Sequence, residues 1–95
     1  MSGEKKRSGL VVVFKIMPES PETDLEAMKN EVRKLVVAPA ELQGFQVEPV
    51  AFGLKALKVT VVMQDVEGGP DQLEEAFSQI ENVNSVQVVD MGRFG

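Results

Sequence analysis

GFQVEPVAFGLKALKVTVVMQ, residues 44–64, carries two stretches of β pattern around one apolar tip. From Gly44 to Val50, apolar Phe45 and Val47 alternate with polar Gln46 and Glu48, the period-two signature of a half-buried strand. From Leu54 to Gln64, Leu57, Val59, Val61 and Met63 share one face, and Lys55 at the same parity marks where that face begins. Lys58, Thr60 and Gln64 leave the other face at least partly wet. The connection Pro49-Val50-Ala51-Phe52-Gly53-Leu54 is short, so two neighbouring strands are expected to meet there.

Reading outward on the N-terminal side, Pro39 ends a helical pattern. Thr23-Asp24-Leu25-Glu26 has capping-box spacing, with Thr23 expected to cap the helix and Glu26 to reach back. Leu25, Met28, Val32 and Leu35 follow at offsets 0, 3, 7 and 10, one apolar stripe on a helix. Leu10 to Met17, rich in Val, Ile and Phe, reads as a strand whose Lys15 shares a face with Val11 and Val13. Pro18-Glu19-Ser20-Pro21 stops it in a turn.

On the C-terminal side, Asp65 to Gly69 forms an acidic, glycine-ended loop, and Pro70 suits a first helical position. Leu73, Phe77 and Ile80, with Ala76 beside them, stripe a second helix. Asn82 to Ser85 is expected to turn the chain, and Val86 to Met91 to form a fourth strand. The order β-α-β-β-α-β is the ferredoxin-like, α+β arrangement. Right-handed crossovers leave one strand's width inside each unit, which orders an antiparallel sheet 4-1-3-2 with both helices on one face. Residues 1–9 are expected to be a flexible tail and residues 10–95 a single domain.

Composition narrows function mainly by exclusion. Cysteine and histidine are both absent from the 95 residues, which removes disulfides, thiol nucleophiles, imidazole bases and the usual zinc ligands. No catalytic residue, metal site or cofactor is expected, and the chain does not read as an enzyme. Net charge is −5; Lys5, Lys6 and Arg7 against Glu4 make the tail +2, which leaves −7 on the rest. An acidic body without a basic stripe is a poor nucleic-acid surface, and only Phe14 offers an aromatic on the central strands for base stacking. Lys15 and Lys58 interrupt the best apolar runs, so no membrane span is expected, and the polar start lacks a signal-peptide core. A cytoplasmic protein, monomeric when free, is the expectation.

Other motifs reduce to packing or solvation. Gly68-Gly69-Pro70 lacks the lysine of a phosphate loop, and the turn after the first strand has no arginine. Glu74-Glu75 and the pair Asp65 and Glu67 read as solvated faces, Met28 and Met63 as core. The tip is different. Hairpin tips favour Asn, Asp, Gly or Ser, and this one carries Phe52. Phe52 either folds back over the sheet edge or protrudes as an aromatic anchor for a partner protein.

The stretch Pro49-Val50-Ala51-Phe52-Gly53-Leu54-Lys55-Ala56-Leu57-Lys58-Val59 resembles the P-x-x-[FY]-G-[IL]-K-x-L segment of elongation factor 1-beta. Leu73-Glu74-Glu75, Val83-Asn84-Ser85-Val86 and the opening Lys15-Ile16-Met17-Pro18-Glu19-Ser20-Pro21 are similar to that family's short archaeal-type members, in order and spacing. The resemblance covers roughly residues 10–94. It implies a small ferredoxin-like domain that releases GDP from the translational GTPase elongation factor 1-alpha. It further implies two contact regions: Ala51, Phe52 and Gly53 at the tip, with Phe52 pressing near the nucleotide site, and the C-terminal end. There the family carries a lysine that intrudes at the magnesium position, and Arg93 stands at the matching place here, followed by Phe94. Arginine keeps the charge, but its planar fork is not a compact ammonium. The alternative expectation is a dimeric regulatory module that binds a small ligand and exposes a sheet face of Val11, Val13, Val62 and Val89.

Overall fold

The computed structural model describes residues 9–37, 40–64 and 69–94. The tail before Gly9, Pro39, the acidic loop from Asp65 to Gly68 and Gly95 lie outside the described residues. The chain runs β1 (Gly9–Pro18), α1 (Leu25–Leu35), β2 (Glu41–Pro49), β3 (Lys55–Gln64), α2 (Gly69–Ser78) and β4 (Val83–Phe94). The sheet is four-stranded and antiparallel in the order β2-β3-β1-β4, the order expected from the sequence read from its other edge.

Alternation decides which side of the sheet the helices cover. In β1, Leu10, Val12, Phe14 and Ile16 are buried, whereas Val11, Val13, Lys15 and Met17 are half-buried on the opposite side. In β3, Leu57, Val59, Val61 and Met63 pack onto the same core. Met28 and Val32 of α1 and Phe77 of α2 close it from above. At its centre the rings of Phe14 and Phe77 meet edge to face, with centroids 5.1 Å apart at 87°, the geometry aromatic quadrupoles favour.

Three local readings need correcting. Asp24, not Thr23, caps α1: its carboxylate accepts from the N–H groups of Glu26 at 3.0 Å and Ala27 at 3.2 Å. The Thr23 hydroxyl is occupied elsewhere, accepting from the Ser20 N–H at 3.3 Å in the preceding turn. Strand β2 begins at Glu41 rather than Gly44, with Leu42 facing Val61 and a register shift before Gly44. The shift hides the early part of the strand from a strict period-two reading.

The fourth strand extends well beyond Val86–Met91 at both ends. Polar Asn84, Ser85 and Gln87 obscure its pattern, yet they need no burial on an edge strand. Its register also jumps: Val13 faces Asp90 while Phe14 faces Val88, so Val89 has no partner in β1. This bulge reverses the alternation. Asp90 turns to the helix-free side opposite Val13, and Met91 and Arg93 stand on the helix-bearing side opposite Val12 and Leu10. An unbroken alternation through Val86 and Val88 would have sent the Asp90 carboxylate toward the core instead.

Candidate protein-docking site

The tip between β2 and β3 is a single 3-10 turn, Ala51–Gly53. Two backbone bonds lock it: the Val50 N–H donates to the Leu54 carbonyl at 2.8 Å, and the Leu54 N–H donates to that of Ala51 at 3.2 Å. All three turn residues are exposed, and Phe52 is 93% exposed. The side chain projects into solvent. Phe52 does not fold back over the sheet.

Its backbone adds something that composition did not suggest. Phe52 sits at φ 62° and ψ 31°, in the left-handed region, which costs a side-chain-bearing residue about 1–2 kcal/mol and is rare for a bulky one. Gly53 follows at φ 76°, where glycine carries no such penalty. A strained, solvated aromatic contributes nothing to the core. Such outliers cluster at active sites, ligand clamps and switch regions.

Beside the tip, Pro18, Ser20, Pro21, Thr23, Leu25 and Lys55 line a pocket of about 150 Å³. A side chain grafted on Gly53 would touch the Pro21 ring at 3.9 Å, so the tip and the turn after β1 adjoin. Sequence reasoning did not find this pocket. Its walls come from β1, the turn, α1 and β3, and only the fold assembles them.

Arg93 and Phe94 lie at the other end of the molecule. Arg93 is exposed near the end of β4 opposite Leu10, and Phe94 pairs with Gly9. The tip adjoins the opposite end of β1, close to Pro18. At about 3.3 Å per residue along β1, the two groups are separated by roughly 25–30 Å. The structure does not bring Phe52 and Arg93 together.

The helix-free face is mixed rather than flatly apolar. Val11, Val13 and Val62 are half-buried on it, but the Glu48 carboxylate lies between Lys15 at 3.7 Å and Lys58 at 3.5 Å. Among the described residues no group of three or more carboxylate, thiol or imidazole side chains could hold a metal ion. No helix among them is long and apolar enough to cross a membrane.

Solved structures share this architecture at low identity. The chain superposes on the ACT domain of GTP pyrophosphokinase from Chlorobium tepidum with a TM-score of 0.60 at 10% identity, covering 85% of this chain and 99% of that one. It also superposes on the C-terminal domain of the MgtC protein from Mycobacterium tuberculosis with a TM-score of 0.58 at 16% identity, covering 97% and 94%. These likenesses concern the fold alone.

Sequence relatives are far closer. Elongation factor 1-beta of Methanothermobacter thermautotrophicus is 46% identical over 84 residues, 88% of this chain and 94% of that protein. Elongation factor 1-beta of Methanosarcina barkeri is 51% identical over 81 residues, 84% of this chain and 91% of that protein. Residues 11–94, which span both the tip and the end of β4, match the model of the EF-1 guanine nucleotide exchange domain, and the chain belongs to that family.

Proposed function

We propose that this protein is the guanine-nucleotide exchange factor of the translational GTPase elongation factor 1-alpha, acting in the cytoplasm through Phe52 and the end of β4. The observation that carries the reading is Phe52 itself: 93% exposed, held in a strained conformation, and set within the family segment. A rigid tip presenting a large aromatic is the form a protein-docking hot spot takes. Because Arg93 lies at the far end, one GTPase has to be gripped along the length of the sheet, and the two contacts fall on different parts of it. They cannot both work at one nucleotide pocket.

No bond is made or broken in this activity. The factor binds the nucleotide-free GTPase better than the GDP-bound form, and reciprocity then requires that it weaken GDP binding by the same factor. Ala51 and Gly53 carry Phe52 on a closed turn, so little ordering entropy opposes docking. Arg93 brings a fixed positive charge to the second contact, where it would compete with the GTPase's magnesium ion for phosphate and carboxylate oxygens.

The direct test follows fluorescent GDP leaving elongation factor 1-alpha with and without this protein. Release is expected to accelerate in proportion to the protein added; an unchanged rate ends the exchange reading. Arg93→Ala is expected to lower the exchange rate roughly three- to fivefold, the scale of a partly exposed ion contact. The loss should be larger at low magnesium than at high, and Arg93→Lys should restore most of it. An effect independent of magnesium assigns Arg93 to surface contact only.

The half-buried valines of the helix-free face favour a second reading, a dimeric small-ligand module. Its sign is self-association on sedimentation without any effect on GDP release.

A further inference from the structure

Every basic side chain among the described residues is engaged except one. Lys15 and Lys58 hold Glu48, Lys29 holds Glu26 at 2.9 Å, and Lys34 holds Glu31 at 3.3 Å. Arg33 donates to Asn30 and lies over the Phe45 ring, and Arg93 is engaged as well. Lys55 alone among these has neither an ion pair nor a hydrogen bond.

The sheet explains why. Lys55 pairs with Pro49, and its neighbour Glu48 faces Ala56, so the nearest carboxylate across the ladder projects to the helix-free side. There Lys15 and Lys58 take it. Lys55 falls on the helix-bearing side with Leu57, where it lines the pocket beside the tip. Lys55 thus presents an exposed ammonium, without a carboxylate partner, at the edge of the pocket.

The other walls fit the same chemistry. Thr23 Oγ1 already accepts the Ser20 N–H, and the two hydroxyl oxygens lie 3.5 Å apart. One hydroxyl proton can serve that contact, leaving the second as a donor into the pocket. Donors thus share the lining with the apolar Pro18, Pro21 and Leu25. About 150 Å³ equals roughly five waters of liquid volume, room for one glutamate side chain with its methylenes on the prolines and its carboxylate on Lys55.

Building on the exchange reading, we infer that this pocket receives one acidic side chain of the same GTPase that takes Phe52. The contact is a knob beside a socket. Phe52 enters the partner, and the partner's carboxylate enters the space between the turn and β3. The apolar knob supplies most of the affinity, whereas the charged socket fixes orientation and speeds encounter.

Binding of nucleotide-free elongation factor 1-alpha to Lys55→Met, Lys55→Glu and Lys55→Arg variants tests this. Lys55→Met is expected to weaken binding about tenfold, mainly through slower association with a flatter salt dependence. Lys55→Glu should weaken it further, and Lys55→Arg should stay close to wild type. Wild-type affinity in both Lys55→Met and Lys55→Glu, alongside weakened Phe52→Ala, overturns the socket and leaves the exchange reading standing. No binding by the wild-type protein overturns both. Reductive methylation read by mass spectrometry gives an answer without a variant. Lys55 should be shielded in the complex while Lys34, whose side chain is 71% exposed, stays reactive. Equal labelling of Lys55 with and without the GTPase overturns the proposal.

Discussion

Replacing Phe52 with glycine is expected to cut exchange activity about 30-fold while leaving the fold as stable as before or slightly more so. The activity figure follows from the worth of an aromatic hot spot, about 2 kcal/mol, at roughly 1.4 kcal/mol per tenfold change. The stability expectation has a different origin. Phe52 is 93% exposed, so removing it takes almost nothing from the core. Its φ of 62° disappears as a strain once no Cβ is present, returning about 1–2 kcal/mol. Glycine's larger freedom in the unfolded chain offsets roughly 0.5–1 kcal/mol of that gain. GDP release from elongation factor 1-alpha and urea unfolding on the same sample measure both. A variant that is markedly less stable refutes the strain argument; one that exchanges normally refutes the hot spot. Phe52→Ala separates the two terms, because alanine loses the ring but keeps a Cβ in the left-handed region.

The second large effect lies in the core. Phe77→Ala is expected to destabilise the fold by about 3–5 kcal/mol, the range for truncating a buried phenyl ring. Phe77 is fully buried and meets Phe14 edge to face. A domain of 95 residues has roughly 5–14 kcal/mol in all, so the variant sits near the edge of folding. Its thermal midpoint should fall by roughly 12–40 °C, scaling at about 4–8 °C per kcal/mol. The chain has no disulfide and no described metal cluster to compensate. A fall of only a few degrees would show that α2 can repack around the gap. Phe77→Leu retains much of the volume and is expected to lose far less.

How much of this could be read from residues alone varies along the chain for physical reasons. Strands β1 and β3 announce themselves because each buries one face against helices and leaves the other half wet. The ends of strand β4 do not, because polar residues on an edge strand and an unpaired Val89 break the period that pattern reading relies on. Choosing between Thr23 and Asp24 as cap depended on the hydrogen bond that already occupies Thr23, which no spacing rule contains. The tip drew attention as an aromatic out of place. Its left-handed backbone was invisible, since propensity argues against a phenylalanine there. The solitary Lys55 required knowing which face Glu48 takes, and the pocket beside it required four elements in space. The wide separation of Phe52 and Arg93 follows from strand directions, and it limits any account that sends both to a single pocket.

The unpaired Val89 has a consequence for the end of the chain. A strand presents its residues in two phases, and one inserted position shifts everything after it by half a period. Arg93 therefore owes the side on which it emerges to a spacer four positions earlier. Drawing Val89 into the ladder opposite Val13 would turn Met91 and Arg93 to the opposite surface and bring Asp90 inward, whereas deleting it would leave all three on their present faces. Substituting Val89 leaves the phase intact. At this position what counts is that the residue stays outside the ladder, whatever side chain it carries.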